Sequence, residues 1–150
     1  MKGKAYRKDY QERHDIDWFA IYEGIPIHVA SNGGEIPSTI KSANNRAIQK
    51  YLANLDPLSI NNEIERNEEW IDVLEKESEE FDTEAYLRTF VEFAKLGFVS
   101  IDNVIIGEEH QYKIVAFPKK RDKLFSLDNV ELYIPDIEKE DMQELNINLW

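Results

Sequence analysis

Cysteine is absent from this chain, so neither a disulfide framework nor a thiolate metal site can form, and oxidation has no thiol through which to act. Glycine and proline are scarce, six and five in 150 residues, which excludes a low-complexity or collagen-like chain. No apolar run approaches the length of a membrane-spanning helix, and no membrane association is expected. The residues after Met1 are polar (Lys2, Lys4, Arg7, Lys8, Asp9, Gln11, Glu12), so the apolar stretch of a secretory signal is missing and a cytoplasmic address is expected. Positive charge is in short supply as well: 18 Lys and Arg face 30 Asp and Glu, for a net charge of -12. Such a molecule repels nucleic-acid phosphates and anionic lipid and attracts cationic proteins, so direct binding to duplex nucleic acid is not expected.

What the chain does have is enough apolar material to fold. It is 42% hydrophobic and 11% aromatic, and a chain of this length buries roughly 70% of the surface its unfolded form exposes. One α+β domain over residues 1–150 is expected, with residues 1–13, of net charge +3, as a flexible basic arm.

Charge is concentrated. Residues 63–84 hold eleven carboxylates against two cations, Arg66 and Lys76, and so account for nine of the twelve net negative charges. Ile60, Ile64, Ile71, Leu74 and Phe81 are interleaved at helical spacing, which predicts one acidic amphipathic helix over about 59–81 with Trp70 as an exposed aromatic anchor. Acidic helical faces often do no more than keep a protein in solution. Here like charges recur three and four residues apart, a pattern that costs helix stability and that interspersed lysines would relieve.

The remaining elements follow from periodicity. Ile16, Trp18, Ala20 and Tyr22 alternate with Asp17, Phe19 and Ile21, then Glu23-Gly24 turns the chain into Ile25, Ile27 and Val29, which reads as a hairpin. A two-residue loop pairs Trp18 with Val29 and places His28 opposite Phe19, and Pro26 argues that the second strand lies at an edge or has its nitrogen pointing out of the ladder. A helix is expected from about Ile40 to Asp56-Pro57, and another from a cap at Asp82 or Thr83 to Gly97. Residues 98–117 return to β character, Val130, Leu132 and Ile134 suggest one more strand, and the last fifteen residues fit helix and strand equally. The fold expected is an antiparallel sheet, from an N-terminal hairpin and C-terminal strands, with about three helices inserted between them.

Two candidate sites emerge. The first is the acidic surface of Glu65, Glu68, Glu69, Trp70, Asp72, Glu75, Glu79 and Glu80, suited to docking on and neutralising a basic protein partner in the manner of an immunity protein or antitoxin. Mimicry of a nucleic-acid backbone is one version of this reading. The alternative is a small metal-dependent hydrolase built on Asp17, His28 and the Asn32-Gly33-Gly34 loop, where imidazole and carboxylate share one face of the hairpin. The histidine spacing matches no zinc pattern, the glycine loop matches neither nucleotide fingerprint, and so no catalytic residue, metal ligand or cofactor is assigned. Two glycines at that loop are read as supplying positive φ at a sharp exit from the hairpin.

Overall fold

The computed structural model describes residues 3–57, 60, 62–106, 108–120 and 134–149. In chain order the elements are α1 (Lys8–Arg13), β1 (Asp17–Tyr22), β2 (Ile25–Ala30), α2 (Ser42–Ala53), β3 (Ile64–Arg66), α3 (Glu68–Glu77), α4 (Thr83–Leu96), β4 (Val99–Ile106), β5 (Glu109–Pro118) and α5 (Lys139–Glu144). The five strands form one sheet in the order β1-β2-β4-β5-β3. None of the described helices is long and apolar enough to cross a membrane.

The hairpin has the expected register, Trp18 against Val29, Ala20 against Ile27 and Phe19 against His28. The sheet is mixed, however, and not purely antiparallel: β2 and β4 run parallel, with Ile27 to Ala30 aligned on Val99 to Asp102. The reason is the long excursion between them, in which α2, α3 and α4 bring the chain back to the same end before β4 begins, as a parallel pairing requires. Pro26 is therefore not on an edge strand. It precedes the first residue paired to β4, so its missing N–H leaves no gap in that ladder.

The single helix expected over 59–81 is two elements. Ile64 to Arg66 pair with Ala116 to Pro118 as a short antiparallel strand, and α3 starts only after Asn67. Asn67 makes the break: its Oδ1 accepts from Trp70 N at 3.1 Å as an N-cap, and its Nδ2 donates to the Ile114 carbonyl at 2.7 Å. Five helices are described in all, the short α1 and α5 lying outside the inserted region. The helix expected from about Ile40 begins at Ser42, after a turn that buries Ile36 and Ile40. Of the suggested strand at 130–134, Val130 and Leu132 lie outside the described residues, and Ile134 is not in a strand. At the C-terminus, α5 takes Met142 inward, and Ile147 and Leu149 follow as buried residues of irregular chain.

Both sheet faces are covered. Trp18, Ala20, Ile27, Val29, Val99 and Ile101 pack against Tyr6, Ile36, Ile40, Met142 and Ile147 on one side. On the other, Phe19 and Phe98 meet α2 and the end of α4, while Ala30, Val115 and Ala116 meet Trp70, Ile71, Leu87, Phe90 and Ala94 of α3 and α4. Val115 and Ala116 are neighbours that join the same cluster because the β4–β5 register shifts at Ser100/Ile101, a bulge that breaks strict alternation. The segment before β1 lies along α2 and not on the acidic helix: Ser42 N donates to the Lys4 carbonyl, and the Tyr6 hydroxyl accepts from Asn45 Nδ2 at 3.0 Å.

Asn67→Ala removes both a helix cap and a hydrogen bond to the sheet, each worth about 1 kcal/mol, so a loss of roughly 2 kcal/mol is expected in urea unfolding. A loss no larger than that of an exposed alanine substitution elsewhere on α3 would contradict the capping role.

Candidate functional site

The eleven carboxylates of residues 63–84 are all exposed. On α3, Trp70 and Ile71 are buried and Leu74 is partly so, which turns Glu68, Glu69, Asp72 and Glu75 outward together. Glu65 lies on β3, and Glu79 and Glu80 in the turn between α3 and α4. The acidic region therefore spans a strand, a helix and a turn, and like charges three or four apart on the helix are confined to Glu68, Glu69, Asp72 and Glu75 of α3. Among the described residues only three of the eleven have a cation within 4 Å: Glu68 and Glu84 share Arg66, at 2.9 and 3.7 Å, and Glu63 meets Lys119 at 3.2 Å. Glu65, Glu69, Asp72, Glu75, Glu77, Glu79, Glu80 and Asp82 are left without one, and Glu75 instead accepts the Thr83 hydroxyl at 2.9 Å.

Trp70 is not the exposed anchor that its sequence position suggests. It is 8% exposed, because the cap at Asn67 places it on the inner face of α3. Its Nε1 donates to the Tyr86 hydroxyl at 3.2 Å, and that hydroxyl donates to Asp102 Oδ2 at 2.6 Å. Lys113 sits 5.6 Å from the Trp70 ring centre. A hydrogen-bonded chain thus ties α3 and α4 to β4. Burial is the main force pushing the Asp102 carboxyl up to about 6; the Tyr86 hydrogen bond opposes it, and the carboxylates of Asp15 and Asp17 add to it. The effect of Asp17 follows from register, since Asp17, Ala30 and Asp102 form one row across three strands with only a methyl group between the acids.

The alternative residues separate into two places. Asp17 and His28 do come together: His28 Nε2 donates to Asp17 Oδ1 at 2.7 Å, and His28 Nδ1 is 2.6 Å from Ser100 Oγ. With Nε2–H committed to the carboxylate, Nδ1 is the ring atom that meets the Ser100 hydroxyl. This is the bonding order of a Ser-His-Asp relay. The serine is nevertheless out of reach of a substrate in this conformation, since Ser100 and His28 are both 0% exposed and Phe19, Phe90 and Phe93 surround the imidazole. Only the Asp17 end reaches solvent, at 40% side-chain exposure.

Asn32, Gly33 and Gly34 are elsewhere. Asn32 N donates to Asp15 Oδ1 and its side chain to the Asn103 carbonyl, while Gly33 and Gly34 line a groove of about 900 Å3 with His110 and Tyr112. Gly33 does carry a positive φ, 79°. Gly34 is needed for closeness instead: a Cβ there would run into the Asn103 amide and come within 3.0 Å of the Ser31 carbonyl. Burial, reinforced by Glu35, pushes the Tyr112 phenol up to about 12, so it is a neutral donor at physiological pH. Among the described residues no three His, Asp or Glu groups are placed to hold a metal ion.

Ser100, Asp102, Tyr86 and Asn103 escaped the sequence reading. The signal was there in part, as Ser100 and Asp102 sit two apart in a run from Phe98 to Ile106 whose one other polar residue is Asn103, the spacing that puts both on one face of a strand. Comparison with family models, with curated proteins and with solved structures finds no match for this chain.

A carboxyl that titrates near 6 in the fold and near 4 in the unfolded chain holds its proton more tightly when folded. The stability this confers is complete below pH 4 and lost as pH rises through 6. Asp102→Asn is unable to titrate. Its stability relative to the parent protein is therefore expected to rise by roughly 2 kcal/mol between pH 4 and pH 7 in urea unfolding. A difference that stays flat over that range would contradict the burial assigned to Asp102.

Proposed function

We propose that this protein docks on a basic protein partner through the acidic surface formed by β3, α3 and the turn into α4, and neutralises it in the manner of an immunity protein or antitoxin. The observation that carries the reading is the eight exposed carboxylates with no cation within 4 Å among the described residues. A chain selected only for solubility has no reason to leave so many like charges together, because mixing in lysines removes the repulsion at no cost to solubility. A potential of one sign over a rigid surface raises the rate of encounter with an oppositely charged protein and disfavours acidic competitors. The docking residues are Glu65, Glu68, Glu69, Asp72, Glu75, Glu79 and Glu80; Trp70 holds α3 in place from within. Val73, 41% exposed beside them, adds apolar contact area.

Three outward charges on α3 are reversed in Glu69→Lys/Asp72→Lys/Glu75→Lys without touching its buried face. The parent protein, immobilised at low salt, is expected to retain a basic partner that elutes as ionic strength rises, and the reversed variant is expected to retain none of it. A partner held equally well by the variant, or at high salt, would overturn the electrostatic reading.

A further inference from the structure

Between α2 and α4 lies a second cavity, of about 420 Å3, on the same side of the sheet as α3. Its walls are apolar where Leu52, Phe93 and Leu96 face it, and its acidic groups are Asp15, Asp17 and Glu92. Among the described residues no lysine, arginine or histidine lines it. Arg88, one turn before Glu92 on α4, makes no ion pair with it within 4 Å among the described residues.

Asp17 is unusually well held for a residue with an exposed carboxylate. Its main-chain oxygen accepts from both Asn45 Nδ2 and Gln49 Nε2, at 2.9 and 2.7 Å. Its Oδ1 accepts from the fully buried His28, whose ring is fixed by three phenylalanines. The relay that has no access for a substrate thus has a clear mechanical effect, which is to fix one carboxylate at the mouth of an apolar slot with Oδ2 left over. A carboxylate ordered in advance loses little entropy when it binds.

We propose that this slot receives one arginine side chain of a bound protein, its guanidinium among Asp15, Asp17 and Glu92 and its methylene stem against Leu52 and Phe93. The volume falls within the roughly 300–1,000 Å3 of ordinary ligand pockets. A point cation is disfavoured by the geometry, since no three described carboxylate or imidazole groups are placed to coordinate one. A planar, weakly hydrated cation on an apolar stem suits carboxylates spread around an apolar wall, and a guanidinium also stacks on an aromatic ring such as Phe93. The source of the arginine rests on the reading of a basic partner given above. α4 connects the two places, with Glu84 in the acidic surface and Glu92 in the slot about 12 Å apart along the helix at 1.5 Å per residue, so one partner can touch both.

The test uses the full chain and a blocked tripeptide with arginine at its centre, followed by the amide shifts of Asp17, Leu52 and Phe93. Saturable shifts at those residues are expected with the arginine peptide and none with the citrulline peptide, which has the same shape without the charge. Glu92→Gln alters an exposed side chain and leaves the fold intact. It is expected to weaken the arginine peptide about fivefold or more, in line with the loss of one charge-assisted contact. Equal binding of citrulline or lysine peptides, or shifts confined to α3, would overturn the slot. The charge-reversed α3 variant separates the two ideas, because it is expected to keep its affinity for the tripeptide while losing the partner. Tripeptide binding with no salt-sensitive partner would overturn the docking reading alone.

Discussion

The hydrogen-bonded chain from Trp70 through Tyr86 to Asp102 is what allows an acidic surface to exist on this protein. The outward residues of α3 repel one another, at about 0.2–0.5 kcal/mol for each like-charged pair three or four apart. Against that, full burial of side chains such as Trp70 and Ile71 contributes about 1.5–3 kcal/mol each. Packing wins by a margin of a few kcal/mol, but burial alone does not fix direction. The indole N–H and the phenol do, since the indole donates to the phenol and the phenol donates to a carboxyl on β4. α3 is held with its apolar side down and its charge outward, and α4 is held by the same chain.

Periodicity made much of this legible. The hairpin register, the Asp82 cap, the end of α4 at Gly97 and the two C-terminal strands rest on local rules, and each is present. The parallel pairing of β2 with β4 was not legible, because it depends on where a long excursion returns the chain and no local pattern records that. The division of 59–81 was missed for a different reason. Ile64, Ile71 and Leu74 keep helical spacing across the break, and only Asn67, a strong cap in mid-sequence, marks where helix begins.

The candidate residues divide along the same line. The acidic positions were readable because charge density is a property of composition, and exposure follows once the inner face is known. Asp17 and His28 were readable because a two-residue turn sets which side chains meet. Ser100 and Asp102 were not, since their meaning comes from strands that pair across 72 positions of sequence in the case of His28 and Ser100. Trp70 was misplaced although it precedes Leu74 by four residues and so lies beside it on the helix face.

Both sheet faces are packed core, and the acidic residues of α3 lie on the outer surface of the layer formed with α2 and α4. Two buried polar chains on that side end in carboxyls of opposite use. Asp102 is enclosed and pushed toward its neutral form, and Asp17 is fixed but half open to solvent. The first secures the layer to the sheet; the second offers a charge in a slot. Both chains start from neighbouring rows of one sheet face, so the core and the surface are built from the same register.

The central claim is that a dense acidic field persists on the folded surface, largely uncompensated by cations of the described residues. Its most direct measurement is the free energy of unfolding in urea as sodium chloride is raised from low to moderate ionic strength. Screening of self-repulsion predicts a stability that rises with salt, by about 1 kcal/mol or more, and a much smaller rise in Glu69→Gln/Asp72→Asn/Glu75→Gln. A stability that is indifferent to salt, or that falls as its ion pairs are screened, would show the field to be neutralised within the fold and would contradict the account.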